Sequence, residues 1–304
     1  MAQGASAFAD RRAPVALAPH PRGPVRRVAF LGTPALAVPP LRALVDAGIE
    51  VALVVSRPDK KRGRGGALTP SPVKAAALEL GLPVTDRLAD VVDAGVELGV
   101  VVAYGRIIPA DVLAAVPMVN LHFSLLPRWR GAAPLERAIL AGDERTGVDL
   151  MVVEEGLDTG GVFARTEVAI GPDDDLEVLR ARLSAEGARL LVEGLAHGLG
   201  EPSPQEGEPT YAHKVEPAEH QLDWSAPALD VHRRVRVGDA WTTRGGMRLK
   251  VHRTHVPPRG DGPVVAAGDG PVELVEVQPE GKARMDAVAW ARGARWQPGE
   301  RLPS

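Results

Sequence analysis

Long apolar runs alternate with segments whose apolar positions recur every three or four residues. The runs are VRRVAFLG from Val25, EVALVVS, LGVVVAYG, PMVNLHFS and VDLMVVEEG. They lack apolar–polar alternation, which suits strands covered on both faces. The periodic segments read as helices with recognisable ends. VPPLRALVDAG stops at Gly48, and SPVKAAALELG opens on Ser71 as N-cap with Pro72 in its first turn. APLERAILAGD is opened by Pro134, and DLEVLRARLSAEGARLLVEGLAHG is a long amphipathic helix. Strands alternating with helices predict an α/β fold built on a doubly wound, mostly parallel sheet.

The texture changes near residue 200. GEPSPQEGEPT has the Pro, Gly and Glu content of a linker. Beyond it come the short β-like pieces AWTTR, MRLKVHRT, PVVAAG, VELVEVQPEG and DAVAWARG, punctuated by turn residues. They predict a small OB-like β-barrel. The expected organisation is a flexible tail over 1–24, a catalytic domain over 25–200, a linker over 201–215 and a barrel domain over 216–304.

Composition narrows the function classes. The chain has 304 residues and a net charge of −3, so nucleic-acid contact must come from local patches. It has no Cys, which excludes disulfides and thiolate metal sites and fits a reducing cytoplasm. No run approaches the roughly 20 apolar residues of a membrane span. The first 24 residues are rich in Ala, Pro and Arg but carry no continuous apolar stretch of the secretory kind.

The stretch VNLHFSLLPRWRGAAP holds the candidate chemistry. Residues two apart in a strand share a face, so Asn120 and His122 project together near the carboxyl end of their strand. Open α/β sheets bind ligands outside that end. A neutral His there serves as acid or base, and an Asn amide donates to a developing oxyanion. One strand later, EEGLDTGG presents Asp158 among glycines, on a strand expected to end at the same sheet edge. The residues alone fit either an acyl-transfer site or a satisfied core histidine. No second His stands two or four positions from His122 and no H-E-x-x-H exists, so no metal is expected. Arg128 and Arg130 have two readings, contacts to a substrate's acidic groups or ion pairs that pin the loop.

Two basic stretches remain. RPDKKRGR, from Arg57 to Arg64, sets five cations against Asp59, as either a solvated loop or a nucleic-acid contact. Between Val231 and Arg259, eight Arg or Lys face only Asp239. On a small barrel these would form one basic face with salt-dependent affinity for phosphate. Trp241 is expected in the core rather than as a stacking platform.

SLLPRWRGAAP with AILAGDERTGVDLMVVEEGLDTG resembles the methionyl-tRNA formyltransferase family. AFLGTP, RPDKKRGRGGALTPSPVKAAALELGLPV, VVAYGRIIP and YAHKVEPAEHQLDW are similar to the same family in the same order. The resemblance implies catalytic roles for Asn120, His122 and Asp158. It also implies a folate-binding segment at Ser124, Leu125, Leu126 and Pro127. The implied formyl donor is 10-formyltetrahydrofolate and the implied acceptor methionyl initiator tRNA. The implied tRNA contacts are Lys60, Lys61, Arg62 and Arg64 on the basic loop, with Arg234, Arg248 and Lys250 in the C-terminal region. A cytoplasmic monomer without membrane partners is expected. Rival readings are a glycinamide ribonucleotide or amino-sugar formyltransferase, a formyltetrahydrofolate hydrolase, or a catalytically silent RNA-binding protein.

Overall fold

A computed structural model describes residues 16–62 and 66–303, Arg62 by its backbone alone. The chain runs β1 (Arg27–Gly32), α1 (Val38–Asp46), β2 (Glu50–Val55), β3 (Lys60–Arg62), β4 (Ala67–Thr69), α2 (Pro72–Glu79), β5 (Val84–Thr85) and α3 (Asp90–Asp93). It continues through β6 (Leu98–Val102), α4 (Ala110–Ala115), β7 (Met118–His122), β8 (Arg130–Gly131), α5 (Pro134–Ala141), β9 (Arg145–Val152), β10 (Val162–Ala169) and α6 (Leu176–His197). The C-terminal part holds β11 (Tyr211–Ala212), α7 (Ala228–Val237), β12 (Trp241–Arg244), β13 (Met247–His255), β14 (Val264–Ala266), β15 (Pro271–Pro279), β16 (Met285–Asp286) and α8 (Ala287–Ala294).

The large sheet has the order β10-β9-β7-β6-β1-β2-β5. β1 leads outward to β2 and β5 on one side and to β6 and β7 on the other, all parallel, as the unbroken apolar runs predict. Phe30, Leu98, Val100, Val119 and Leu150 are buried on the face packed by α1 and α6. The second face packs Leu31, Tyr104, Leu113 and Met118. Local signals hold in detail. The Ser71 hydroxyl accepts from Lys74 N at 3.0 Å, and Asp175 caps α6 through Val178 N at 2.9 Å. The short segment before β6 forms only the one-turn α3.

One strand departs from the expected direction. β9 runs antiparallel to both β7 and β10. Its last residue, Val152, therefore pairs with Val119 near the start of β7, and β9 ends at the opposite edge from His122. The loop 153–161 has to carry Asp158 back along the sheet.

The smaller sheet is antiparallel, in the order β12-β13-β15-β14 with β16 on β15. Its core is formed by Leu222, Trp224, Val231, Leu249, Leu274 and Trp290. Two helices pack on it that the β-like reading missed. DAVAWARG is α8, because Asp286 caps Val288 N and Ala289 N and diverts the chain after a two-residue strand. α7 buries Val231, His232 and Val235 on one face, a stripe interrupted in sequence by Arg233 and Arg234.

Two segments expected to be slack are tied down. Of the tail 1–24, residues 1–15 lie outside the described residues. Over 16–24, Ala18 N donates to Leu113 O, His20 Nε2 to Met118 O at 3.0 Å, and Arg22 pairs with Glu201. The expected linker over 201–215 is also held. Ser203 bridges Val162, and β11 pairs with β8 beside the candidate site.

Candidate active site

β7 delivers Asn120 and His122 on one face, in register with Met151 and Asp149 of β9. His122 is 4% exposed. Its Nε2 lies 2.9 Å from the carbonyl oxygen of Trp129. A carbonyl only accepts, so in the neutral ring Nε2 carries the proton and Nδ1 presents its lone pair. That nitrogen faces Asp158 Oδ2 at 3.6 Å, too long for a direct hydrogen bond. Trp129 reaches the ring because its backbone is left-handed, φ +63. Asp158 is also left-handed, φ +51, a conformation Asp tolerates better than most side chains. Its Oδ2 accepts from Gly131 N at 2.7 Å. Gly160 lets the loop return tightly, since a Cβ there would stand 2.2 Å from the carbonyl oxygen of Val152.

Asn120 differs from its neighbours. It is half-buried, and its amide makes no hydrogen bond among the described residues. It is the site's uncommitted donor. Among the described residues no group of three His, Cys, Asp or Glu is placed to hold a metal ion.

The segment Ser124–Pro127 follows directly. Ser124 and Leu126 are buried, so these two side chains are not presented to a ligand. Ser124 Oγ donates to Arg128 O at 2.5 Å, and Leu126 N donates to Asp149 Oδ2 at 2.9 Å. Asp149 is fully buried and receives the Arg165 guanidinium at 2.7 and 2.6 Å, while Arg165 also donates to Leu126 O. Burial pushes the Asp149 carboxyl above its ordinary value against the pull of Arg165, whose own value hydrogen bonding to Asp149 raises. The arginines of RWR pin the loop. Arg128 makes a two-pronged contact with Asp143, and Arg130 donates twice to Gln205 Oε1.

The basic loop is a hairpin, β3–β4, following β2. Lys60 and Lys61 are exposed, and Lys74 neutralises Asp59 at 2.8 Å. Arg62 lies in β3, and Arg64 lies outside the described residues.

The C-terminal cations are not unopposed. Arg233 pairs with Asp230, Arg244 with Glu300, Arg259 with Asp173 and Lys250 with Asp239. Arg236 spends itself on the carbonyls of Gly171 and Asp174. Arg234 donates to Gln221 O, whereas Arg248 is exposed and its guanidinium lies 4.2 Å over the Trp241 ring. Trp241 is half-exposed and outside the apolar core, contrary to expectation. It lies opposite Lys250 across β12–β13, so Trp241, Arg248 and Lys250 form one surface strip.

Residues 26–195 match the formyl transferase family, and residues 214–295 match the formyl transferase C-terminal domain. The methionyl-tRNA formyltransferase of Heliobacterium modesticaldum is 45% identical over 91% of this chain and 99% of its own. The chain belongs to the methionyl-tRNA formyltransferase family. Among solved structures, the methionyl-tRNA formyltransferase from Clostridium thermocellum matches with a TM-score of 0.58 at 16% identity, over 84% of this chain and 99% of that one. HypX from Aquifex aeolicus, in complex with tetrahydrofolic acid, matches with a TM-score of 0.62 at 17% identity, over 91% of this chain and 48% of that one. At these identities the two structures show the shared fold. Residues 203–212, which the structure folds against the candidate site, lie between the two matched regions.

Proposed function

We propose that this formyl transferase moves the formyl group of 10-formyltetrahydrofolate to the α-amine of methionyl initiator tRNA. The observation that carries the reading is the convergence of Asn120, His122 and Asp158, with the Asn120 amide unspent and His122 Nδ1 facing a carboxylate. In the reaction, the amine nitrogen attacks the formyl carbon and a C–N bond forms. The carbonyl electron pair moves to oxygen, and Asn120 donates to that oxyanion. His122 Nδ1 takes the proton released by the amine, while the Trp129 carbonyl keeps hold of Nε2–H. Asp158 offsets the positive charge on the imidazolium. Collapse of the intermediate breaks the bond to N10, and His122 returns the proton to the leaving nitrogen. No covalent enzyme intermediate is required. Holding both reactants in register supplies roughly 7–11 kcal/mol of the barrier in favourable cases.

The loop 124–127 offers the folate mainly its backbone and the half-exposed Leu125 and Pro127, braced from behind by Asp149 and Arg165. Lys60, Lys61, Arg62 and Arg64 form the proposed arm toward the tRNA acceptor end. Arg248 and Lys250, beside Trp241, form a second phosphate contact, with Arg234 nearer the interior. The proposed organisation is a catalytic unit over 25–200 and a tRNA-binding unit over 216–304, joined through 201–215. No described helix is long and apolar enough to cross a membrane. A cytoplasmic monomer fits these substrates.

The experiment is formyl transfer from 10-formyltetrahydrofolate, run in parallel on methionyl initiator tRNA, glycinamide ribonucleotide and an amino-sugar nucleotide. Product on the tRNA alone is expected. Transfer to a small amine instead would remove the RNA assignment and keep the chemistry.

A further inference from the structure

Gln205 stands in the Pro- and Glu-rich stretch that sequence patterning reads as a linker, yet its side chain is fully engaged. Nε2 donates to the carbonyls of Asp158 and Gly160, each at 2.8 Å. Oε1 accepts from Arg130 Nε at 3.0 Å and Nη2 at 2.7 Å. The two loops it joins hold the two partners of His122. One carries Asp158. The other carries Trp129, whose carbonyl fixes Nε2, and Gly131, whose N–H grips the Asp158 carboxylate. The Thr210 hydroxyl of the same strap accepts from Trp129 N, and Arg130 N donates to Thr210 O.

We infer that Gln205 is a positioning residue for the reaction, holding Asp158 and the Trp129 carbonyl at their stations on either side of the His122 ring. The inference rests on the proposed role of His122 in formyl transfer. The chemistry of the partners selects the side chain. Two carbonyls need two donors, and a guanidinium needs an acceptor. A primary amide supplies both from one planar group without charge. A carboxylate of the same shape keeps the acceptor and loses both donors, placing negative charge against two carbonyl oxygens. Asp158, in its left-handed conformation, then loses the bond that anchors its own carbonyl.

The test compares Gln205→Glu with the parent enzyme in two backgrounds, native and Asp158→Asn. Gln205→Met, which keeps the length and removes all polarity, serves as the second variant. In the native background kcat is expected to fall roughly ten- to a hundredfold, since sub-ångström to ångström displacements have costs of that order. KM for both substrates should change little. In the Asp158→Asn background the same replacement should cost clearly less, because one of the two groups it positions is already disabled. Equal losses in both backgrounds would mean a structural role only, and an unchanged kcat in the native background would overturn the inference outright. Nitrogen chemical shifts of the His122 ring give a readout free of any substrate. They are expected to move in Gln205→Glu, and unmoved shifts would contradict the linkage. Moved ring signals in a parent protein that transfers no formyl group would retire the functional reading while leaving the linkage standing.

Discussion

Replacing Arg165 by Met should destabilise the catalytic region by about 3 kcal/mol, the lower end of the range for breaking a buried ion pair. The structure sets where in that range the cost falls. Asp149 is 0% exposed and holds the guanidinium through two short contacts. With Arg165 gone, its only remaining donor among the described residues is Leu126 N at 2.9 Å. A charge buried with a single donor argues for a large loss. The Arg165 side chain, however, is 40% exposed, so water can enter along its former path and screen the carboxylate. Leu126 O also loses its donor from Arg165. About 3 kcal/mol corresponds to roughly a hundredfold fall in the folding equilibrium. Urea unfolding followed by circular dichroism measures it. The double variant Asp149→Leu/Arg165→Met should recover part of the loss, because no charge is then left behind. What remains is the Leu126 N–H and carbonyl without these partners, a buried unsatisfied group costing about 1–3 kcal/mol. A loss below about 1 kcal/mol for Arg165→Met would refute the reasoning, since that is the size of an exposed pair. A double variant no better than the single one would also refute it.

Asn120→Ala should lower kcat by about 10²–10³, the cost of one oxyanion donor, with KM for the formyl donor nearly constant; a rise in KM alone would assign Asn120 to ground-state binding. Glu219 gives a pH-dependent test. Hydrogen bonding to Arg137 holds its carboxyl down to about 2 from an ordinary 4.5. The unfolded chain therefore takes up this proton first as pH falls, so the pair's stabilisation is complete above about pH 4.5 and lost toward pH 2. Glu219→Gln should lower the urea midpoint at pH 7 and converge with the parent near pH 2, and a gap independent of pH would contradict the pairing.

Much of the catalytic half is legible from patterning because its strands are covered on both faces. Unbroken apolar runs, Ser71 and Pro72 at a helix start and Gly48 at a helix stop are local signals, and each marks the element it names. Strand direction is not local. The run VDLMVVEEG reads the same in either direction, and only pairing with β7 and β10 makes it antiparallel. Asn120 and His122 are readable as a same-face pair. The route of Asp158 back to His122 depends on a left-handed residue and the absence of a Cβ at Gly160, of which only the glycine is visible in sequence. The Trp129 carbonyl is invisible for the same reason, since no side chain announces a backbone acceptor. In the C-terminal region, counting charges along one stretch misled. The acids that oppose Arg233, Arg244 and Arg259 lie outside it, at Asp230, Glu300 and Asp173. Linker-like composition likewise concealed Gln205, whose partners are distant in the chain.

The proposed mechanism depends on His122 as the proton carrier in formyl transfer. The most direct test is the single-turnover rate of formyl-methionyl-tRNA formation by His122→Ala, with both substrates saturating. A fall of about 10²–10⁴ is expected, the usual contribution of a positioned acid–base group, with cooperative unfolding preserved. A rate equal to that of the unaltered enzyme would contradict it.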